Sequence, residues 1–507
     1  MKNMKRMLSL ILACLTAVFV LSSCGADTET SSNSGTAIAN SEAGENEIID
    51  LEQGENFTGP GGESGTGNQV TGSQATGSQT TGGDGKKYPG RVSNLNGRTV
   101  TIVASGYMKP GNGDEMAKRA TKLYEKIGKE YNCKIVYNDT ITYDQMAASI
   151  MSGSPKGDIW FAKDHTQYIN QYVGKLIQPL NDLQVVDFTD TTKYSAAGQL
   201  GKINGVYYGV CPLTYGVTGG SAWVYNVLFF NKSILESAGY SADAMYALQK
   251  SGNWNWSKFE EIAKKVTQGK KYAINDSDLY FYNGLLASNG TAWVQEQNGS
   301  LKFTGTDTKN QEVLNFYRNL VKNGYMKVEP KQEGYSLKDK DEFIAGNVAF
   351  YAHPVWGVQH RVNGANFKWG ILAMPKSPSA KDYVGDSSWA SFFTIPRGVK
   401  KPNEPLTIID EIMANPLFKG AEDEAQYTAF YSTYLQDTGS LETIKMLRSK
   451  ERQSWSGATE GIKMTFGADY SWYPKVGEIA NGASIATISG QVSSQYNNLL
   501  KDIFTKK

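Results

Sequence analysis

Arg98-Thr99-Val100-Thr101-Ile102-Val103-Ala104 is a short, β-branched run that ends at Gly106. It reads as a buried strand. Residues 114–131 follow, with Met116, Ala120, Leu123, Ile127 and Tyr131 at helical spacing. Cys133 to Tyr137 reads as a second strand and residues 144–151 as a short helix. Asp158-Ile159-Trp160-Phe161-Ala162 reads as a third strand. Strands alternating with helices make βαβ units, so the expected class is α/β with a mostly parallel sheet. Open sheets of this kind take ligands beyond the carboxyl ends of their strands. The loops after Ala104 and Ala162 therefore matter, and they carry Tyr107 and Asp164.

The second half repeats the idiom. Val227 to Asn231 is a strand leading into a helix that stops at Gly239. Ser257-Lys258-Phe259-Glu260 reads as a capping box, with Ser257 as N-cap. Residues 307–323 form a longer helix stopped at Gly324. Strands follow at 348–351, 369–373 and 392–395, and a C-terminal helix is expected at 493–504.

Working back to the start, Lys2, Lys5 and Arg6 precede an apolar run from Met7 to Leu21, then Ser22-Ser23-Cys24. A basic start, a short apolar stretch and small residues describe a secretory signal, too short for a membrane span. A cysteine at this place matches a bacterial lipobox, so residues 1–23 read as a lipoprotein signal and Cys24 as the lipidated residue. Residues 24–92 form a Gly-, Ser- and Thr-rich tether that includes Thr71-Gly72-Ser73-Gln74 and Thr76-Gly77-Ser78-Gln79. Such a segment buries too little apolar surface to offset its ordering entropy. As a coil it reaches on the order of 40–50 Å. The expected place of the protein is the outer face of a bacterial cell membrane.

What remains, roughly 420 residues, exceeds the size at which a single core stops growing, so two lobes are expected. Charge is balanced, 51 basic against 50 acidic residues. No basic stripe appears, which argues against nucleic acid. Cys133 and Cys211 are expected to be free thiols. His165, His353 and His360 are the only histidines, and none has a metal-ligand spacing. No Gly-x-Ser-x-Gly elbow, His-Glu-x-x-His pair or phosphate loop is present. No metal or cofactor is expected.

Several blocks recur in a known order. They are Gly157-Asp158-Ile159, the run from Gly174 to Leu180, Gly205-Val206-Tyr207-Tyr208-Gly209-Val210, and Phe229-Phe230-Asn231-Lys232. Trp254-Asn255-Trp256-Ser257-Lys258-Phe259, residues 343–356 and Leu372-Ala373-Met374-Pro375 complete the set. With the lipobox, this set resembles the extracellular solute-binding proteins of family 1, which include maltose-binding protein. The resemblance implies a two-lobe, periplasmic-binding-protein-like (type II) fold, a Venus flytrap with hinge-linked lobes. It places one lobe at residues 93–224 and 388–435 and the other at 225–387 and 436–507. It implies a monomeric binding protein, not an enzyme, that passes its ligand to an ABC transporter permease. An inserted stretch, Leu213 to Tyr225, departs from the pattern at the first hinge crossing.

Sugars present CH-rich faces and hydroxyl rims, so a site for them needs aromatic platforms beside amide or carboxylate groups. The resemblance places Trp356, the pair Trp472 and Tyr473, Tyr280 and Asp164 at such positions. Trp389, at the second hinge crossing, and Tyr107 join them as candidate ligand contacts. Each aromatic also has a plain reading as packing, and Asp164 reads equally well as a loop cap. Asp158, ahead of a buried strand, reads as structural. Aromatic abundance favours a carbohydrate, an oligosaccharide above all. A sensor-feeding binding protein has the same cleft chemistry, and a surface glycan-active enzyme needs only two carboxylates across a cleft. Those alternatives stay open at this point.

The anchor is directly testable. Cells given radiolabelled palmitate are expected to label the wild-type protein and not Cys24→Ala. Equal labelling of the two would remove the lipid anchor.

Overall fold

The structure is a computed structural model. It describes residues 88–104, 108–113, 115–190, 193–194, 201–211, 226–267, 272–298, 300–328, 338–355, 357–386, 390–414, 432–448, 451–452 and 472–504. Cys24, the tether up to residue 87, Tyr107, Trp356, Trp389 and the insertion at 213–225 lie outside the described residues. Among the described residues no helix is long and apolar enough to cross a membrane.

The first sheet is built from β1 (Arg98–Val103), β2 (Cys133–Asn138), β3 (Ile159–Ala162), β6 (Gly209–Val210) and β15 (Phe392–Thr394). A small antiparallel pair, β4 (Lys202–Ile203) and β5 (Val206–Tyr207), precedes β6. The sheet order is β2-β1-β3-β15-β6. β1 runs parallel to β2 and β3, while β15 runs antiparallel to β3 and β6. Helix α1 (Glu115–Glu130) joins β1 to β2, α2 (Tyr143–Met151) joins β2 to β3, and α3 (His165–Val173) follows β3.

Alternation along the strands explains the layers. Val100, Ile102, Ile159, Phe161 and Phe393 pack in one core with Leu123 and Ile127 of α1. Val103, Trp160, Ala162 and Phe392 pack in the other with Met146 and Ile150 of α2 and Tyr168 of α3. Asp158 is structural, as expected. Its carboxylate accepts from Thr101 N at 2.9 Å and pairs with Arg98.

The second sheet holds β7 (Asn226–Asn231), β8 (Ile274–Asn275), β11 (Met326–Lys327), β12 (Phe350–Pro354) and β13 (Trp369–Leu372), in the order β11-β8-β12-β7-β13. Its helices are α4 (Lys232–Ser237), α5 (Ala242–Lys250), α6 (Trp256–Val266), α7 (Tyr280–Ser288) and α8 (Thr308–Lys322). Then come α9 (Lys338–Ile344) and the short α10 (Gly357–His360). Between α7 and α8, β9 (Val294–Gln297) and β10 (Ser300–Phe303) form a hairpin. A parallel bridge pairs β14 (Gly385–Asp386) with β16 (Glu451–Arg452). The chain leaves the first sheet after Val210 and regains it at Phe392.

Beyond β15, α11 (Asn403–Ala414) packs against α1, and α12 (Thr438–Arg448) packs against β13. α13 (Trp472–Ala480) then lies on α8, and α14 (Ile485–Phe504) on β10. The start of the described chain is clasped to α11. Arg91 pairs with Asp410 and Glu411, and Asn403 Nδ2 donates to Gly90 O at 2.9 Å. Asp410, only 2% exposed as a side chain, also receives Lys193 Nζ at 3.1 Å and the Tyr194 hydroxyl. Gly90 is required here, since a Cβ would run into the Leu183 carbonyl oxygen.

Several details differ from the sequence reading. The N-cap of α6 is Asn255, not Ser257: Asn255 Oδ1 accepts from Lys258 N at 3.0 Å. Trp256 fixes that earlier start by stacking on Phe316 at 4.6 Å, which makes it the first helical residue. α14 starts at Ile485, well before residue 493, because Ile488 and Val492 extend its buried stripe. β12 continues to Pro354, which pairs with Asn226. Cys133 is a free thiol, and Cys211 is fully buried.

Losing an N-cap side chain costs about 1 kcal/mol. Asn255→Ala is expected to lower the unfolding free energy by about that much in urea titrations. Ser257→Ala should stay within about 0.5 kcal/mol of wild type.

Candidate functional site

β8 and β12 run parallel, paired at Ile274 and Phe350, and β12 runs on past the end of β8. The chain leaving β8 turns through residues 276–279 into α7. Leu279, at the cap position, has φ 59° and supplies no side-chain cap. Asp276 caps the helix instead. Its carboxylate accepts from Phe281 N at 3.0 Å, Tyr282 N at 2.9 Å and the Tyr317 hydroxyl at 2.7 Å. Asp339 of α9 holds the same turn, accepting from Ser277 N at 2.5 Å and Asp278 N at 3.2 Å. Two buried carboxylates thus set the geometry of one strand end.

Tyr280 opens α7, and its ring meets His353 of β12 edge-on at 4.9 Å. His353 donates from Nδ1 to Pro354 O at 2.9 Å, since a carbonyl can only accept. Burial pushes the imidazole down to about 3, so it is neutral at physiological pH. One turn along α7, Asn283 Nδ2 donates to the Tyr473 hydroxyl at 2.6 Å. The structure therefore joins Tyr280 to His353 and Tyr473 to Asn283, all four through α7 or the end of β12.

Trp472 is placed differently. The expectation of a flat face open to a ligand is not met in this arrangement, because Trp472 is 0% exposed. Its indole N–H donates to the Tyr282 hydroxyl at 3.0 Å and its ring meets Phe303 edge-on at 5.0 Å. Trp472 packs inward, while its neighbour Tyr473 stays half-buried.

Asp164 stands at the carboxyl end of β3, on the first sheet. Its Oδ1 accepts from Gln167 N at 2.8 Å and caps α3. Burial raises its pKa, against the backbone hydrogen bonds, which lower it. The capping role accounts for one oxygen of that carboxylate.

Asn275, Asp276, Asn283 and Asp339 were not singled out by the sequence reading, and His353 was weighed there only as a metal ligand. The one sequence signal for the first two was their place at the end of a strand, and β8 is only two residues long. Among the described residues no group of three or more His, Cys, Asp or Glu is placed to hold a metal ion.

The family described as bacterial extracellular solute-binding protein matches residues 122–421. The chain belongs to this family. Extracellular solute-binding proteins bind rather than catalyse, and solved structures share the two-lobe α/β architecture. The sugar-binding protein MalE from Xanthomonas citri aligns over 80% of this chain and 98% of its own, at 14% identity and TM-score 0.55. The cyclic alpha-maltosyl-1,6-maltose binding protein from Arthrobacter globiformis aligns over 80% and 99%, at 13% identity and TM-score 0.57. The ABC transporter associated binding protein from B. animalis subsp. lactis, solved with beta-1,6-galactobiose, aligns over 81% and 100%, at 16% identity and TM-score 0.51. At these identities the likeness shows the fold alone. No curated protein matches the chain.

Burial, and then the Asp339 carboxylate, push Asp276 up from 3.8 to about 7. A carboxyl raised on folding keeps its proton longer in the folded than in the unfolded state. Stability is then greatest while the group is protonated and falls as pH climbs from about 4 towards 7. Urea midpoints measured at about pH 4 and about pH 8 are expected to show that fall in this solute-binding protein. Asp276→Asn should lose part of the difference.

Proposed function

We propose that this protein captures a saccharide, an oligosaccharide above all, between its two lobes and delivers it to an ABC permease. In this reading Cys24 anchors it outside the cell and residues 25–87 carry it off the membrane. Residues 93–224 and 388–435 form one lobe, and 225–387 and 436–507 the other. The observation that carries the ligand class is the strand end itself. Two tyrosines, Tyr280 and Tyr473, are set there beside His353 and Asn283, which supplies aromatic faces next to amide and hydroxyl groups. Sugars are bound by that combination. Trp356 follows β12 by two residues in sequence, so the proposal includes it as a platform. Tyr107, Asp164 and Trp389 remain proposed contacts from the loops and hinge. The three similar structures, a sugar-binding protein, a cyclic alpha-maltosyl-1,6-maltose binding protein and a binding protein solved with beta-1,6-galactobiose, support the same class.

A protein starting at Tyr88 is expected to gain melting temperature with one or more mono- or oligosaccharides, because a ligand that binds only the native state stabilises it. Small-angle scattering should show a smaller radius of gyration with that sugar, as the lobes close. Trp356→Ala should weaken binding about tenfold to a hundredfold, with the ligand-free melting temperature unchanged. Release of a cleaved product from the bound sugar would overturn the binding reading.

A further inference from the structure

Among the described residues, buried Asn275 Oδ1 and Asp339 Oδ1 at this strand end have no hydrogen-bond partner, and neither has Asn283 Oδ1 on α7. Asn275 and Asp339 are 5% and 3% exposed. Strand register puts them on the same face. Ile274 pairs with Phe350 across a parallel ladder, so their side chains point the same way. Phe350 packs on Trp254 and Phe259, towards α6. The next residue on each strand points oppositely. Tyr351 accordingly stacks on Phe343 of α9 at 5.7 Å, and Asn275 shares that face. Asp339 lies one turn before Phe343 on the same side of α9.

Asp339 cannot swing away to find a donor. Its Oδ2 is held by the backbone N–H groups of Ser277 and Asp278, the two residues that follow Asp276 out of β8. His353, two residues beyond Tyr351, puts the Tyr280 contact on this face as well. The unpartnered oxygens therefore neighbour the aromatic pair of the proposed site.

Buried acceptors are almost always matched by a donor from protein, water, an ion or a ligand, and these two lie beside the proposed ligand site. Both groups here are acceptors, so the incoming group must donate. Hydroxyl and ammonium groups do so; carboxylates and phosphates do not. Resting on the reading of this strand end as the ligand site, we propose that Asn275 and Asp339 form an acceptor pair that receives hydroxyl groups of the bound saccharide. The pair makes the site select ligands that present donors at this edge and reject those that present an anion.

The test uses Asn275→Leu and Asp339→Asn in the protein starting at Tyr88. The probes are glucose, maltose, maltotriose and galactobiose, with spermidine as an ammonium donor. Asp339→Asn keeps an oxygen for Ser277 N and Asp278 N but turns the second oxygen into a donor. Asn275→Leu removes the acceptor and keeps the bulk. Wild type is expected to bind at least one saccharide. Both variants should bind it at least about tenfold more weakly by calorimetry, with ligand-free melting temperatures equal to or above wild type. Unchanged sugar affinity in both variants would overturn the pair and leave the carbohydrate reading standing. So would a ligand-free fall of about 5 °C or more in Asn275→Leu, which would mean the oxygen has a structural partner. Binding of spermidine alone, lost in Asp339→Asn, would keep the pair's donor preference and overturn its assignment to sugar hydroxyls. Indifference of wild type to every probe would overturn both.

Discussion

Strand β15 is the constraint on which the rest depends. Phe392 and Phe393 point into opposite cores of the first sheet, and the Thr394 hydroxyl bonds Trp160 O at 2.7 Å and Gln171 Oε1 at 2.9 Å. β15 sits between β3 and β6, and among the described residues β6 pairs with no other strand of that sheet. The strand by which the chain departs is therefore paired with the strand on which it returns. Both passages towards the second sheet start from adjacent, antiparallel strands.

Segments with strong periodicity were legible. Ile159–Ala162 and residues 227–230 are apolar without a break because they are covered on both faces. Helix α1 shows one apolar stripe, whose Leu123 and Ile127 are buried. Boundaries were less legible because local signals competed. Ser257 and Asn255 are both good caps, and the burial of Trp256 decided between them. The lobe count followed from length, and the order of blocks carried the family.

The site was harder to see, for a definite reason. Sequence shows which residues are aromatic but not which way a ring faces. Trp472 and Tyr473 are adjacent on α13, yet one is fully buried and the other half-exposed. Asn275 and Asp339 come from separate segments, and only strand register and the α9 contact bring them to one face. Asp339 sits in Lys338-Asp339-Lys340-Asp341, which resembles a solvated run of alternating charge. Nothing local distinguishes the buried member of such a run from the exposed ones.

The Arg91 clasp has a mechanical consequence. If the chain before Tyr88 is fastened at its far end, any traction along it enters the body at residues 88–92. It meets first the Arg91 pairs with Asp410 and Glu411 and the Gly90 N to Gln184 O bond at 3.1 Å. The first sheet with α11 thus takes up such traction before any strand of the second sheet does.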